Sequence, residues 1–401
     1  MPWMLAFVLT IFPLLAAVNI YVGRKLLNAF TRLKPWNRKR TRLVLAAILV
    51  YLNLLPVVFL IAYEIEGRGV TGAFAGDVFL IDLLFTYPFW IALVISVQLL
   101  VLYLVDDIVK LTILRFLRGP RGWWQAKEPW FVVIALVFIA VYSGATIVKD
   151  TWTVRLVEGE ARLPAAFSSL DGFRIAQIAD IQGDGRTTPA IIRRFVERVN
   201  ALKPDLVFFA GDLATSGTKY IDTTAAVLSE LRSTYGTYGA VGDHDIFSNK
   251  SMVLAALRQN GVTIPEDTTL FLDLRETPVA LSIVTYTYPQ KPTPEKLERV
   301  TSNLGNTYKI FLVHQPAEML VDLARRKGYN LFIAGHTHGG GIAFGIPGLF
   351  LVAPASFETR YLSGFYQVGD MFVSVTNGLG FTLAPIRFHA PAEITLLTLR
   401  R

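Results

Sequence analysis

Through residue 150 the apolar positions run together instead of alternating. Four such runs, Trp3–Val22, Leu43–Tyr63, Val78–Val105 and Trp130–Val148, each come near the ~20 residues a helix needs to cross a bilayer. They predict four transmembrane helices. The first run has no basic region ahead of it and no small-residue cleavage site behind it, so it reads as a retained span and not as a signal peptide. From Thr151 the pattern changes to short apolar runs that end in polar clusters. Arg174–Ala179, Leu206–Ala210, Gly239–Val241, Lys309–Val313 and Leu331–Ala334, rich in Val, Ile and Phe, read as strands. Pro189–Leu202, Ser251–Asn260 and Ala317–Arg326 read as helices between them. Leu270–Leu274 with Val279–Tyr286 reads as a hairpin, and Met371–Thr376 with Ala392–Leu399 as a second sheet closing the domain. Glu158–Pro164 reads as an entry linker with a short strand. Strands alternating with helices predict an α/β domain over 151–401 that binds ligands at the carboxyl ends of its strands, behind a transmembrane region over 1–150.

Composition supports the division. Apolar residues make up 53% of the chain and charged ones 17%, against about 25% charged in soluble domains. The net charge of +8 is mainly a topology signal. The first loop carries Arg24, Lys25, Arg32, Lys34, Arg38, Lys39, Arg40 and Arg42 without an acid. The second, Glu64–Asp77, has only Arg68 as a base, and the third, Asp106–Pro129, is basic again through Lys110, Arg115, Arg118, Arg121 and Lys127. Basic loops stay cytoplasmic, so both termini and the globular domain are expected outside, on a multi-pass protein of the cytoplasmic (inner) membrane. No basic patch adjoins the polar clusters, so nucleic acid is not an expected partner. Asp82 is the acid expected within a span, close enough to the outer end to reach the interface. Trp123, Trp124 and Trp130 are expected to form an aromatic belt. Cysteine is absent, which excludes a disulfide framework, thiolate ligands and a cysteine nucleophile.

The polar clusters after the strands carry the candidate chemistry. In order they are Asp180-Ile181-Gln182, Gly211-Asp212-Leu213, Gly242-Asp243-His244-Asp245, His314, and Gly335-His336-Thr337-His338-Gly339-Gly340. Singly, an aspartate after a strand is more often a helix cap, and a lone histidine is more often structural. Together they place carboxylates and imidazoles on one rim, the donor set that a pair of divalent cations needs.

These motifs closely resemble the calcineurin-like metallophosphoesterase superfamily, in particular its bacterial membrane-anchored branch, from Asp171 onward. Leu312-Val313-His314-Gln315-Pro316, Gly378-Leu379-Gly380, Pro385-Ile386-Arg387-Phe388 and Pro391-Ala392-Glu393-Ile394 match that branch as well. The resemblance implies a four-layer α/β/β/α sandwich and hydrolysis of a phosphoester or pyrophosphate bond. It implies that Asp180, Gln182, Asp212 and His338 hold one metal, and that Asp212, Asp243, His314 and His336 hold a second. A hydroxide bridging the metals would attack phosphorus. His244 would support the phosphoryl oxygen or protonate the leaving group. Asp245 either orients His244 or caps the next helix, and His389 is structural.

Gln182 stands where the family normally has His, Asp243 where it has Asn, and Gly341 where it has Gln. With two divalent cations, a hydroxide and Asp180, Asp212 and Asp243 the site sums to zero, where the usual set leaves +1. An oxygen-rich first site suits Mn²⁺ or Mg²⁺ better than Zn²⁺. Mn²⁺ is favoured, with Fe and Zn the other members of the set. The expected substrate is a membrane-associated, lipid-linked phosphoester. The alternative is a catalytically silent metal-binding sensor or scaffold on a membrane anchor.

Overall fold

The computed structural model describes residues 3–66, 76–113, 116–381 and 383–401. The chain falls into two compact units, Met1–Phe74 with Val78–Val148, and Ala75–Asp77 with Lys149–Arg401.

The first unit is helical: α1 (Trp3–Leu33), α2 (Arg38–Leu52), α3 (Leu54–Glu66), α4 (Phe79–Ile81), a π-helical turn (Asp82–Thr86), α5 (Tyr87–Thr112) and α6 (Arg118–Trp152). Among the described residues, two helices are long and apolar enough to cross a membrane, Phe79–Thr112 and Pro120–Trp152. Arg38–Leu52 and Leu54–Ile61, bent by 45° at their break, pass together as a third. The expected first span lies within α1, where the side chains of residues 1–9 and 11 are outside the described residues. The expected second loop, Glu64–Asp77, lies mostly outside them too.

The helices outrun the apolar runs, so several residues expected in loops lie on helices. Lys25 of α1 sits 3.2 Å from Asp106 and 2.5 Å from Asp107 of α5. Lys110 joins the same pair at 2.9 and 2.7 Å and also pairs with Glu128 of α6. Trp124 donates its indole N–H to Asp106 at 2.8 Å, and Trp123 and Trp130 are exposed. Asp82 is buried in the π-helical turn. That turn precedes Pro88, which lacks the N–H that would bond the Leu84 carbonyl one turn back. The Tyr51 hydroxyl donates to that carbonyl instead, at 2.7 Å.

The second unit runs β1 (Val154–Arg162), β2 (Arg174–Ile178), α7 (Pro189–Ala201), β3 (Leu206–Phe209), α8 (Ile221–Leu228), β4 (Thr237–Gly239), α9 (Asp243–Gln259), β5 (Val262–Thr263), β6 (Thr268–Leu274), β7 (Thr277–Val284), α10 (Pro294–Thr301), β8 (Tyr308–Val313), α11 (Glu318–Arg326), β9 (Leu331–Ala334), β10 (Phe344–Ile346), β11 (Phe350–Val352), β12 (Gly364–Val368), β13 (Met371–Val375) and β14 (Ala392–Arg400). One six-stranded sheet has the order β1-β14-β2-β3-β4-β5. The other has the order β12-β13-β9-β8-β7-β6, and β10 and β11 pair separately. Both large sheets are mixed, with parallel β2-β3-β4 and β7-β8-β9 at their centres.

Alternating side chains place these strands. Phe208 packs with Ile175, Leu281, Leu312 and Ile333 in a core drawn from both sheets. Its neighbours Val207 and Phe209 point the other way, toward Ile192 and Val196 of α7 and Leu257 of α9. On the second sheet, Val313 and Phe332 pack with Leu297 of α10 and Leu320 and Val321 of α11.

Two expectations are corrected here. Ala392–Leu399 does not join Met371–Thr376 in a second sheet: β14 lies in the first, parallel to β1 and antiparallel to β2. Its faces explain the position, because Ile394 enters the helix-side core and Leu397 and Leu399 the inter-sheet core; a strand buried on both faces belongs inside a sheet. Glu158–Pro164 is not a linker, because β1 starts at Val154 and pairs with β14 along its whole length.

Candidate metal centre

Every candidate ligand leaves the carboxyl end of a strand or opens the helix after it. Asp180 and Gln182 follow β2, Asp212 follows β3, Asp243 and His244 open α9 after β4, His314 follows β8, and His336 and His338 follow β9. Five of them turn off their strands with left-handed backbone: Asp180 and Gln182 at φ 51°, Asp212 at 64°, His336 at 72° and His338 at 50°. Side-chain-bearing residues hold this conformation only where surroundings impose it, at a cost on the order of 1–3 kcal/mol each. The surroundings are visible. Asp180 N donates to the Gly211 carbonyl at 2.8 Å, and Gln182 N to the Asp212 carbonyl at 3.1 Å. Close approach requires two glycines: a Cβ at Gly242 would lie 2.1 Å from Asp212 Oδ1, and one at Gly378 would lie 2.5 Å from Asp180 Cβ.

The side chains form two groups whose ligand-type atoms lie within 4.8 Å of one another: Asp180, Asp212 and His338, and Asp243, His314 and His336. His338 Nε2 is 3.5 Å from Asp180 Oδ1, and His336 Nδ1 is 3.1 Å from Asp243 Oδ2. His314 Nε2 joins the groups, 3.4 Å from Asp212 Oδ2 and 4.0 Å from Asp180 Oδ1. Gln182 is buried beside them and donates Nε2 to Asp212 Oδ2 at 2.8 Å.

Three buried atoms have no hydrogen-bond partner: Asp180 Oδ1 and His314 Nε2 within this cluster, and Oε1 of the adjoining Gln182. Buried polar atoms are rarely left so, and two oxygens and an imidazole nitrogen fit divalent cations. The His314 tautomer fits as well. Its Nδ1–H donates to the Ala210 carbonyl at 2.6 Å, which leaves Nε2 for the cluster. Burial opposes a proton there, but Asp212 raises the group well above its ordinary value, so a cation taking Nε2 would displace that proton.

Electrostatics agree. Burial, reinforced by Asp212, raises the Asp180 carboxyl to about 7 even though His314 opposes it. Burial would raise Asp212 too, but the His314 and His244 imidazoles hold it below the usual carboxylate range. Burial opposes the proton on His336, yet the Asp243 carboxylate raises it to about 9. Burial, with Arg387 beside it, holds His338 well below its ordinary value. Such a concentration of shifted groups marks functional sites.

His244 sits at the rim, with its backbone N–H on Asp212 Oδ1 at 2.9 Å and its Nδ1–H donating to the Thr215 carbonyl at 2.5 Å. Asp245 takes the second of its two expected roles and caps α9. Its carboxylate accepts from the N–H groups of Gly242, Asp212 and Leu213 at 2.8, 3.1 and 2.8 Å, tying two ligand turns together. His389 lies apart, its N–H on Asp150 Oδ2 at 2.8 Å and its Nδ1 on the Ala343 carbonyl at 3.1 Å.

The calcineurin-like phosphoesterase family model matches residues 173–340, the stretch that carries every candidate ligand. A metallophosphoesterase of Bacillus subtilis (strain 168), YkuE, is 30% identical over 237 residues, covering 57% of this chain and 80% of its own length. The chain belongs to the calcineurin-like phosphoesterase family. A transmembrane protein with metallophosphoesterase domain from Danio rerio is 27% identical over 282 residues, 67% of this chain and 62% of that one. The UDP-2,3-diacylglucosamine pyrophosphatase LpxG of Chlamydia muridarum (strain MoPn / Nigg) is 27% identical over 190 residues, 45% of this chain and 55% of that one.

Within this calcineurin-like site the structure adds residues to which sequence reasoning gave no role there. Gln315 donates Nε2 to both oxygens of Asp243 at 3.2 Å. Glu358 Oε2 lies 3.3 Å from His336 Nε2. Arg387, fully buried, donates to the carbonyls of His338, Asn377, Gly378, Gly380 and Ala390. Gln315 and Arg387 stood inside motifs quoted above; only their contacts give them a task. Glu358 carried no signal at all.

Proposed function

We propose that the chain is a metal-dependent phosphoesterase that hydrolyses a phosphoester or pyrophosphate bond of a membrane-associated substrate. The observation that carries this reading is the pair of Asp/His groups together with three buried atoms that lack a hydrogen-bond partner, Asp180 Oδ1, His314 Nε2 and, on the adjoining Gln182, Oε1. Asp180, Gln182, Asp212 and His338 would hold one divalent cation, and Asp212, Asp243, His314 and His336 a second. Bound there, the cations supply Lewis acidity toward the phosphoryl group.

The chain's own residues do the rest. Gln182 holds the shared carboxylate of Asp212, and the Ala210 carbonyl fixes the His314 ring. His244, with Nδ1–H committed to the Thr215 carbonyl, presents Nε2 to hold a phosphoryl oxygen or pass a proton to the leaving group. The oxygen-rich first site favours Mn²⁺ or Mg²⁺; two zinc ions retained through purification without added metal would overturn that preference.

In this reading residues 1–150 anchor a domain over 151–401, with four spans in the cytoplasmic membrane and the domain on the extracytoplasmic side. The two long apolar helices, the basic first and third loops, and the transmembrane relative from Danio rerio support it. The two sheets with helices packed outside them support a four-layer α/β/β/α sandwich. The relative LpxG supports a pyrophosphate among the substrates.

The test is hydrolysis of bis-p-nitrophenyl phosphate and p-nitrophenyl phosphate by the full chain in detergent, with Mn²⁺, Mg²⁺ and Zn²⁺ in turn. Turnover that needs metal and vanishes in Asp212→Asn is the expected result. A folded, metal-loaded chain without turnover on either ester would leave only the sensor.

A further inference from the structure

Between His338 and Glu358 the chain leaves the metal centre and comes back to it, since Glu358 Oε2 lies 3.3 Å from His336 Nε2. Residues 339–357 carry no charged side chain. The excursion is an ordered element, the antiparallel pair β10–β11. Leu349 N donates to the Ile346 carbonyl at 3.0 Å across a turn with Pro347 second and Gly348, at φ 83°, third, the signature of a type II turn.

Its outward side chains are bare. Leu349 is 74% and Phe357 88% exposed, and Ile346, Phe350 and Val352 are exposed as well. Water-facing surfaces seldom carry a contiguous apolar cluster of this kind, and one that persists marks a contact surface.

The base of the hairpin identifies what covers it. Ala343 N donates to the Phe388 carbonyl at 2.9 Å, and Phe388 N to the Gly341 carbonyl at 3.0 Å. The same segment bonds the last turn of α6: Arg387 N donates to Thr151 Oγ1 at 3.0 Å and His389 N to Asp150 Oδ2 at 2.8 Å. That helix is one of the two long and apolar enough to cross a membrane, and it ends in the exposed indole of Trp152. The apolar hairpin is therefore linked through one short segment to the end of a candidate span.

We infer that the β10–β11 hairpin, with Phe357, inserts into the lipid interface beside the metal centre, and that the substrate is a phosphate or pyrophosphate ester bearing acyl chains. The inference rests on the membrane-anchored phosphoesterase reading. The hairpin, tethered to the centre at both ends, holds the rim at the depth where such headgroups lie, and its apolar side chains give the acyl chains a surface to follow.

The chain has no cysteine, so a single spin label can be placed by Leu349→Cys, Phe357→Cys or, as a control on exposed Phe271 of β6, Phe271→Cys. The full chain is reconstituted in phosphatidylcholine vesicles, and collisions with oxygen, which partitions into lipid, are compared with those of a water-soluble nickel chelate. Labels at 349 and 357 several-fold less accessible to the chelate than the label at 271, and more accessible to oxygen, are the expected result. Chelate access equal to that at 271 overturns the inference. So does shielding from both colliders, which would put protein, a second copy included, on the hairpin. The same samples are assayed on bis-p-nitrophenyl phosphate: lipid-like labels without turnover would remove the phosphoesterase reading and leave the membrane contact standing.

Discussion

Gln182 uses one amide for two tasks, its Nε2 holding Asp212 Oδ2 while its Oε1 waits without a donor. Gln182→Leu removes both, and we expect the affinity of the first site for Mn²⁺ to fall by about 10–100-fold, read by metal titration of the purified chain. His244→Ala should separate binding from chemistry: metal content unchanged, and kcat on bis-p-nitrophenyl phosphate lower by roughly 10²–10⁴-fold. A matching loss of metal would show that the imidazole only supports the site. Asp245→Ala leaves three buried N–H groups without an acceptor. At about 1–3 kcal/mol each, it should lower the unfolding free energy of the second unit by about 3 kcal/mol or more, measured by denaturant titration. At this scale the sequence was informative wherever a residue follows a strand. Asp180, Asp212, His336 and His338 stand in short polar clusters, the last three directly beside glycines, and the structure gathers all four into its two adjoining groups. Gln315 and Glu358 went unassigned because their partners, Asp243 and His336, lie far away along the chain.

Among elements, most strands closing on apolar runs were legible almost to the residue: Leu331–Ala334 agrees at both ends and Arg174–Ala179 overshoots β2 by one position. Gly239–Val241, by contrast, meets β4 only at Gly239, because the apolar residues continue past the strand into the turn before α9. Burial on both faces makes such strands apolar throughout, which is what a reader of sequence detects. The helix α8, the helix α10 and the β10–β11 hairpin were missed. Each is short, and α10 carries four charges in eight residues (PEKLERVT). The position of β14 was missed for another reason: pairing between β14, β1 and β2 is non-local and leaves no local mark. In the helical unit, the Tyr51–Leu84 bond compensates Pro88. Tyr51→Phe should therefore destabilise that unit by about 1 kcal/mol, and by less in a Pro88→Ala background, where residue 88 regains its N–H. A thermal or denaturant cycle in detergent measures the difference; equal costs in both backgrounds would show that the hydroxyl does not serve the broken turn.

For the whole second unit, Arg387 acts as a tie between distant loops. It donates to carbonyls of the His338 turn and of the 377–380 turn, and Gly378 there presses on Asp180. Arg387→Met leaves several buried carbonyls without a donor, at about 1–3 kcal/mol each, so it should cost about 3 kcal/mol or more of stability and should lower metal retention with it. An unaltered unfolding midpoint by calorimetry would contradict this. The first sheet has a further consequence. β14 is synthesised last among its strands yet sits between β1 and β2, and Asn377 N, next to the turn over Asp180, donates to Glu393 of that strand. A ribosome therefore delivers the helical unit and every candidate cation ligand before the sheet that positions them can close. Until residue 392 and those after it emerge, the ligand turns have no finished sheet to hold their left-handed backbone. A chain stopped just upstream of β14 should therefore retain no metal although every candidate ligand is present, which metal analysis of the truncated chain would read.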